Sequence, residues 1–116
     1  MSKKKIRSKF NADVLGRDNF KCKLCGRWDV KLDAHHITNR NEFENGGYIK
    51  SNGISLCDDG ENGCHFKVEK FYFSDGIIND LDNQYHPNNL YKLIDSSFEK
   101  AKGDDLKLAP ACGHTD

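Results

Sequence analysis

The stretch Leu32-Asp33-Ala34-His35-His36-Ile37 stands between two pairs of cysteines, and its reading decides the fold. From Val30 to Ile37 apolar and polar residues alternate. Val30, Leu32 and Ala34 face one way, Asp33 and His35 the other, which predicts a strand. A strand sends neighbouring side chains to opposite faces, so it separates His35 from His36 unless a bulge re-aims one of them. Upstream lies Cys22-Lys23-Leu24-Cys25-Gly26. Downstream lie Cys57 and Cys64, with His65 directly after Cys64.

Four thiolates close a tetrahedral zinc site. Two residues between Cys22 and Cys25 let one turn supply both ligands, and Gly26 permits that turn to be tight. Cys57 and Cys64 bound a six-residue, glycine-bearing loop that can fold back to supply the other two. This spacing is wider than the second Cys-x-x-Cys of a zinc ribbon. The competing readings are buried free thiols or a redox pair, and no thioredoxin-like strand and helix surround Cys22. Cys112, near His114, has no evident partner.

The composition asks for such a staple. The chain has 116 residues, 36% apolar and 31% charged, which describes one domain with a thin core. No apolar run reaches the roughly 20 residues that span a bilayer, and no apolar segment follows the basic N-terminus as in a secretory signal. The expected location is therefore the cytoplasm, where a Cys-x-x-Cys pair serves metal or redox chemistry. The formal net charge is zero, but residues 1–50 carry +6 and residues 51–116 carry −6. A basic front half attracts a polyanion. The alternative is ordinary surface charge that folding intermixes.

Residues 1–8 read as a disordered basic arm. Lys9 to Asp18 form a predicted helix with Phe10, Val14 and Leu15 on one face and Ser8 or Asn11 as its cap. Thr38 to Gly53 is a long Asn- and Gly-rich connection, of the kind that often carries function. Ile54-Ser55-Leu56 can pair with the histidine strand. A helix from Cys64 to about Tyr72 places His65 and Glu69 on one face. Leu90, Leu93, Ile94, Phe98 and Ala101 recur at helical spacing and predict one helix over 88–102, capped by Asn88 or Asn89 and ended by Gly103. Residues 104–116 read as a loose tail.

Once zinc takes four cysteines, His35, His36 and His65 have no structural task. Imidazole serves both as general base and as metal ligand near neutral pH. Hydrolysis of a phosphodiester uses both functions. One residue of the tandem can bind metal while the other faces water, with His65 completing the metal site and Glu69 adding an oxygen. The alternative is that some of these histidines only cap or orient the zinc fold.

The stretch from Val14 to about Phe71 resembles the HNH endonucleases. The matching pieces stand in order: Arg17-Asp18, Cys22-x-x-Cys25-Gly26, Leu32 to Ile37, Gly46-Gly47, Asn52 to Cys57, and Cys64-His65 with Glu69. The resemblance implies an α+β fold, a small zinc-stapled ββα-metal (His-Me finger) core over about 30–72 inside a single nuclease domain of 9–103, flanked by N- and C-terminal helices. It implies that His36 is the general base and that Asn52 ties down the long loop and helps orient that base. It makes His35 and His65 ligands of a catalytic divalent ion. Glu69 stands where relatives often carry a further histidine. This departure moves the site toward Mg²⁺ or Mn²⁺, while two imidazoles still suit Zn²⁺ or Ni²⁺. The implied reaction is metal-assisted hydrolysis of DNA.

Arg17, Lys23 and Arg40 are candidate phosphate contacts, together with the basic residues of the N-terminus. The implied partner is DNA, met as a monomer or weak dimer. Two rival readings stand beside the enzyme. One is a zinc-stabilised nucleic-acid-binding module. The other is an accessory subunit, such as a phage packaging protein, active only with a protein partner.

Overall fold

A computed structural model describes residues 2–108. Strands β1 (Leu32–His36) and β2 (Gly53–Cys57) form an antiparallel pair, with His35 opposite Ile54 and His36 opposite Gly53. Helix α1 (Lys3–Arg17) packs across both strands. Gly53 makes this approach possible, because a Cβ there would collide with Val14 and Phe10 of α1. Helix α2 (Cys64–Tyr72) contacts β2. The short α3 (Gly76–Asn79), then α4 (Pro87–Leu93) and α5 (Phe98–Leu106), complete the described chain.

Ile37, Ile54, Leu56, Val68, Leu90 and Ala101 lie at the centre of the core, each at most 1% exposed. Cys22, Cys57 and Cys64 belong to the same cluster, so the thiols are part of the core they are placed to staple. None of the described helices is long and apolar enough to cross a membrane.

Three expectations are corrected. The basic segment read as a disordered arm is helical from Lys3, and Ser2 caps it by accepting from the Lys5 amide at 3.2 Å. Lysine and arginine are good helix formers, but a run of them carries no apolar period to announce the helix. Ser8 and Asn11, the expected caps, lie inside α1.

The helix expected over 88–102 is two helices. Asp95 takes a left-handed φ of 55°, the Ser96 amide reaches back to the Tyr91 carbonyl, and Ser97 caps α5 through the Lys100 amide. Each half keeps its apolar face, so the spacing of leucines runs through a break that Asp95-Ser96-Ser97 impose. Finally, the expected tail is helical to Leu106, and Asp105 is buried. Residues 109–116, with Cys112 and His114, lie outside the described residues.

Candidate functional site

The four cysteines come together from three places. The knuckle closes when the Gly26 amide donates to the Cys22 carbonyl at 2.8 Å, with Gly26 at φ 82°. The Lys23 amide then donates to the Ser55 carbonyl at 2.9 Å and fixes the knuckle to β2. Cys57 ends β2 and Cys64 begins α2. Gly63 lets the intervening loop return, because a Cβ there would strike the Asp59 amide and the Cys57 carbonyl.

The four sulfurs lie within 4.8 Å of one another, and Cys25 Sγ is 3.7 Å from Cys57 Sγ. A tetrahedron with Zn–S bonds of about 2.3 Å has an S···S edge of about 3.8 Å. The cluster can thus hold a structural metal such as zinc. Burial raises the Cys22 thiol, but amides of Cys25, Cys57 and Leu24 outweigh it and bring the pKa down to about 7. Burial and the neighbouring sulfurs push Cys64 well up. A bound cation would drive off the protons of Cys25 and Cys64, whose pKa values are raised.

A second group forms across β1 and α2. His35, His65 and Glu69 each offer a ligand atom within the same 4.8 Å limit. The His35 and His65 rings lie 5.2 Å apart. His65 Nδ1 is 3.4 Å from Asp33 Oδ2, and its Nε2 is 3.8 Å from Glu69 Oε2. Asp33 can accept the Nδ1 proton and leave the Nε2 lone pair for a cation, as carboxylates commonly do behind metal-bound histidines. Asp33, Asp58 and His65 form an overlapping candidate set. His35 Nε2 is buried without a partner. Burial, reinforced by the charges of His65 and His36, lowers the His35 pKa to about 3, so its ring is neutral and free to ligate.

His36 turns the other way, as strand alternation requires. Its ring stacks on Phe10 at 4.6 Å and meets Tyr48 edge-on at 4.8 Å. Its Nε2 is also buried and unpartnered. Burial first and the Arg40 charge second lower its pKa to about 4, against an opposing hydrogen bond from the ring to the Gly46 backbone. Both tandem histidines border one cleft of about 310 Å³, together with Arg40, His65, Glu69 and Tyr72.

Asn52 is fully buried and joins the two ends of the long loop. Its Oδ1 accepts from the Thr38 amide at 3.0 Å, and its Nδ2 donates to the carbonyls of Thr38 and Gly47 at 3.1 and 3.3 Å. Tyr91 of α4 donates to the same Oδ1 at 2.7 Å. Asp105 of α5 holds the middle of the loop. Its Oδ2 accepts from the Asn45 amide at 2.9 Å and its Oδ1 from the Gly47 amide at 2.8 Å. Gly46 and Gly47 have φ of 87° and 68°, a region that L side chains seldom adopt.

Of the three basic candidates, Arg40 borders the cleft and Lys23 is exposed on the knuckle. Arg17 is committed elsewhere. It forks onto Asp18 at 2.7 and 2.9 Å and donates to the carbonyls of Lys50 and Gly53. Asp18 in turn accepts from the Ser55 amide at 2.9 Å, and these bonds hold its carboxyl below the usual range against the opposing effect of burial. Arg17 and Asp18 therefore join α1 to β2.

Sequence reasoning missed Tyr48, Tyr91 and Asp105. Tyr48 and Tyr91 have no motif to mark them. Asp105 sits in a polar C-terminal run whose burial no periodicity announces. The chain matches no family model, no curated protein and no solved structure.

Proposed function

We propose that the protein is a metal-dependent endonuclease of the HNH type that hydrolyses phosphodiester bonds of DNA. The observation that carries this reading is the pair of buried, unpartnered Nε2 atoms on His35 and His36, turned to opposite sides of β1 and bordering one cleft. Buried polar atoms are nearly always satisfied. Two such orphans on adjacent residues support a site that a ligand or substrate completes.

The residues present fit a divalent ion. His35 and His65 offer neutral nitrogens, Glu69 offers an oxygen, and Asp33 stands behind His65. Such an ion, when bound, supplies positive charge to the scissile phosphate and to the leaving oxygen. The chain supplies the rest. Phe10 and Tyr48 orient the His36 ring, and His36 Nε2 takes the proton of the attacking water. Arg40 offers a charge at the cleft for a neighbouring phosphate. Asn52 and Asp105 hold the loop that carries Gly46.

General-base catalysis contributes about 10²–10⁴-fold. Purified protein with Mg²⁺, Mn²⁺, Ni²⁺ or Zn²⁺ is expected to nick supercoiled plasmid, and a folded His36→Ala variant is expected to lose that activity by about this factor. Metal-independent nicking, or full activity in the variant, rejects the proposal.

One observation favours a second reading, a zinc-stabilised DNA-binding module or a subunit that acts only with a partner. His36 Nε2 is closed off from solvent, with Phe10 and Tyr48 packed on the ring. DNA binding without cleavage under any of the four metals selects that reading.

A further inference from the structure

Helix α1 carries six basic residues and one acid, Asp13, over Lys3–Arg17. Its first turn is Lys3-Lys4-Lys5, with no acidic residue. That is the positive end of the helix dipole, where carboxylates stabilise and cations destabilise. Lysines placed there against the local rule lower the stability of the helix unless an external anion answers them. Among the described residues, Lys3, Lys4, Lys5 and Arg7 take part in none of the ion pairs. All four are exposed.

Lys4, Arg7 and Asn11 fall on one face of α1, at the three- and four-residue spacing that stacks side chains along a helix. They border a groove of about 360 Å³ that also touches His36 and Tyr48. The cleft with His35, His65 and Arg40 meets this groove at Ala34, His36 and Tyr48. His36 thus stands where two hollows join, with cationic side chains on both sides. Lys4 to Asn11 spans about 10 Å of helix, about three base-pair rises of a DNA duplex.

We propose that the α1 groove, through Lys4, Arg7 and Asn11, binds the phosphodiester backbone of the DNA strand that passes His36, on the side away from Arg40. The site deepens the nuclease reading and rests on it for the identity of the strand. Lys4 and Arg7 neutralise phosphates, and Asn11 donates a hydrogen bond. These contacts set the position of the strand without reading its bases.

The test is fluorescence anisotropy of the full-length, zinc-loaded protein with a fluorescein-labelled 20-base-pair duplex, over a salt series and with no other divalent metal added. Wild type is compared with Lys4→Ala/Arg7→Ala and with Lys3→Ala/Lys5→Ala, which removes the same charge from the same helix away from the groove. Each phosphate contact contributes about 0.9 to the slope of log K against log salt, or about eightfold in affinity at 0.1 M. The groove pair is expected to reduce the slope by about 1.8 and to weaken binding by up to about 60-fold, with the control pair affected far less.

Equal losses in both pairs reduce the effect to net charge and overturn the site, as does an unchanged slope in the groove pair. Poly-glutamate displacing the duplex as well as unlabelled DNA does also overturns it in favour of an acidic protein partner. Plasmid nicking by the same preparations separates the two proposals. Cleavage that survives loss of Lys4 and Arg7 with unchanged KM keeps the nuclease and removes the groove. Groove-dependent binding without cleavage keeps the groove and removes the nuclease.

Discussion

Asp105 is a demanding position in the fold, because the residue is 1% exposed and its carboxylate accepts from two backbone amides of the Gly46–Gly47 loop. Replacing it by alanine deletes both acceptors and leaves the Asn45 and Gly47 amides without partners. A hydrogen bond to a charged group contributes about 1.5–3 kcal/mol, so Asp105→Ala is expected to cost about 3–6 kcal/mol. That is a large share of the roughly 5–15 kcal/mol available to a domain. Asp105→Asn retains one acceptor and is expected to lose about half as much.

The assay is urea unfolding followed by circular dichroism at fixed zinc content. With an m-value of about 2 kcal/mol/M, the alanine midpoint falls by about 1.5–3 M. Leu106→Ala, at a neighbouring residue that is 57% exposed, is expected to stay within about 0.5 kcal/mol of wild type. Gly47 also accepts from Asn52 Nδ2, so Asp105→Ala and Asn52→Ala act on one loop and their costs are expected not to add. An Asp105→Ala midpoint within about 0.3 M of wild type, at equal metal content, would refute the claim that α5 holds the loop.

Chelation of metal from the cysteine cluster is expected to unfold the chain, since structural zinc contributes about 10–16 kcal/mol in small domains and three of the thiols lie in the core; mass spectrometry should find one tightly held zinc, and a native far-UV spectrum in the metal-free protein would contradict this. Acid is expected to destabilise the fold through His35 and His36. Folding lowers their pKa from 6.5 to about 3 and about 4, so the unfolded chain takes up two more protons. Stability is then full above about pH 6.5 and falls by about 3 kcal/mol per pH unit at most as the pH drops from about 6 to 4. The difference in slope between wild type and a His35→Asn/His36→Asn variant measures this. Arg17→Ala is expected to lose about 2 kcal/mol of stability while leaving the salt slope of DNA binding unchanged. A reduced slope would return Arg17 to the phosphate contacts.

The candidate metal ligands were legible because chelation leaves a local signature. Cys22 and Cys25 sit in one turn, and Cys64 precedes His65 at the start of a helix. The β1 strand was legible for a similar reason, since a period of two marks a strand, although all five of its residues are half-buried rather than alternately buried and exposed. The N-terminal helix was legible from Lys9 on, through Phe10 and Val14, but its first two turns were not. Lys3 to Ser8 carries little apolar pattern, and what marks the start of the helix is the Ser2 cap. The break at Asp95-Ser96-Ser97 was written in turn residues, but the apolar spacing of Leu90 to Ala101 ran across it and masked it.

The sequence by itself determined the candidate donor set, the strand that carries His35 and His36, and their placement on opposite faces, because each depends on spacing along a few residues. Only the tertiary structure decided that Asp105 and Tyr91 hold the loop, that Arg17 serves the fold, and that a basic helix face runs up to His36. These are contacts across some 30 to 60 residues. Burial, neighbouring charge and hydrogen bonding act through space, and no local period in a chain records which distant residues will meet.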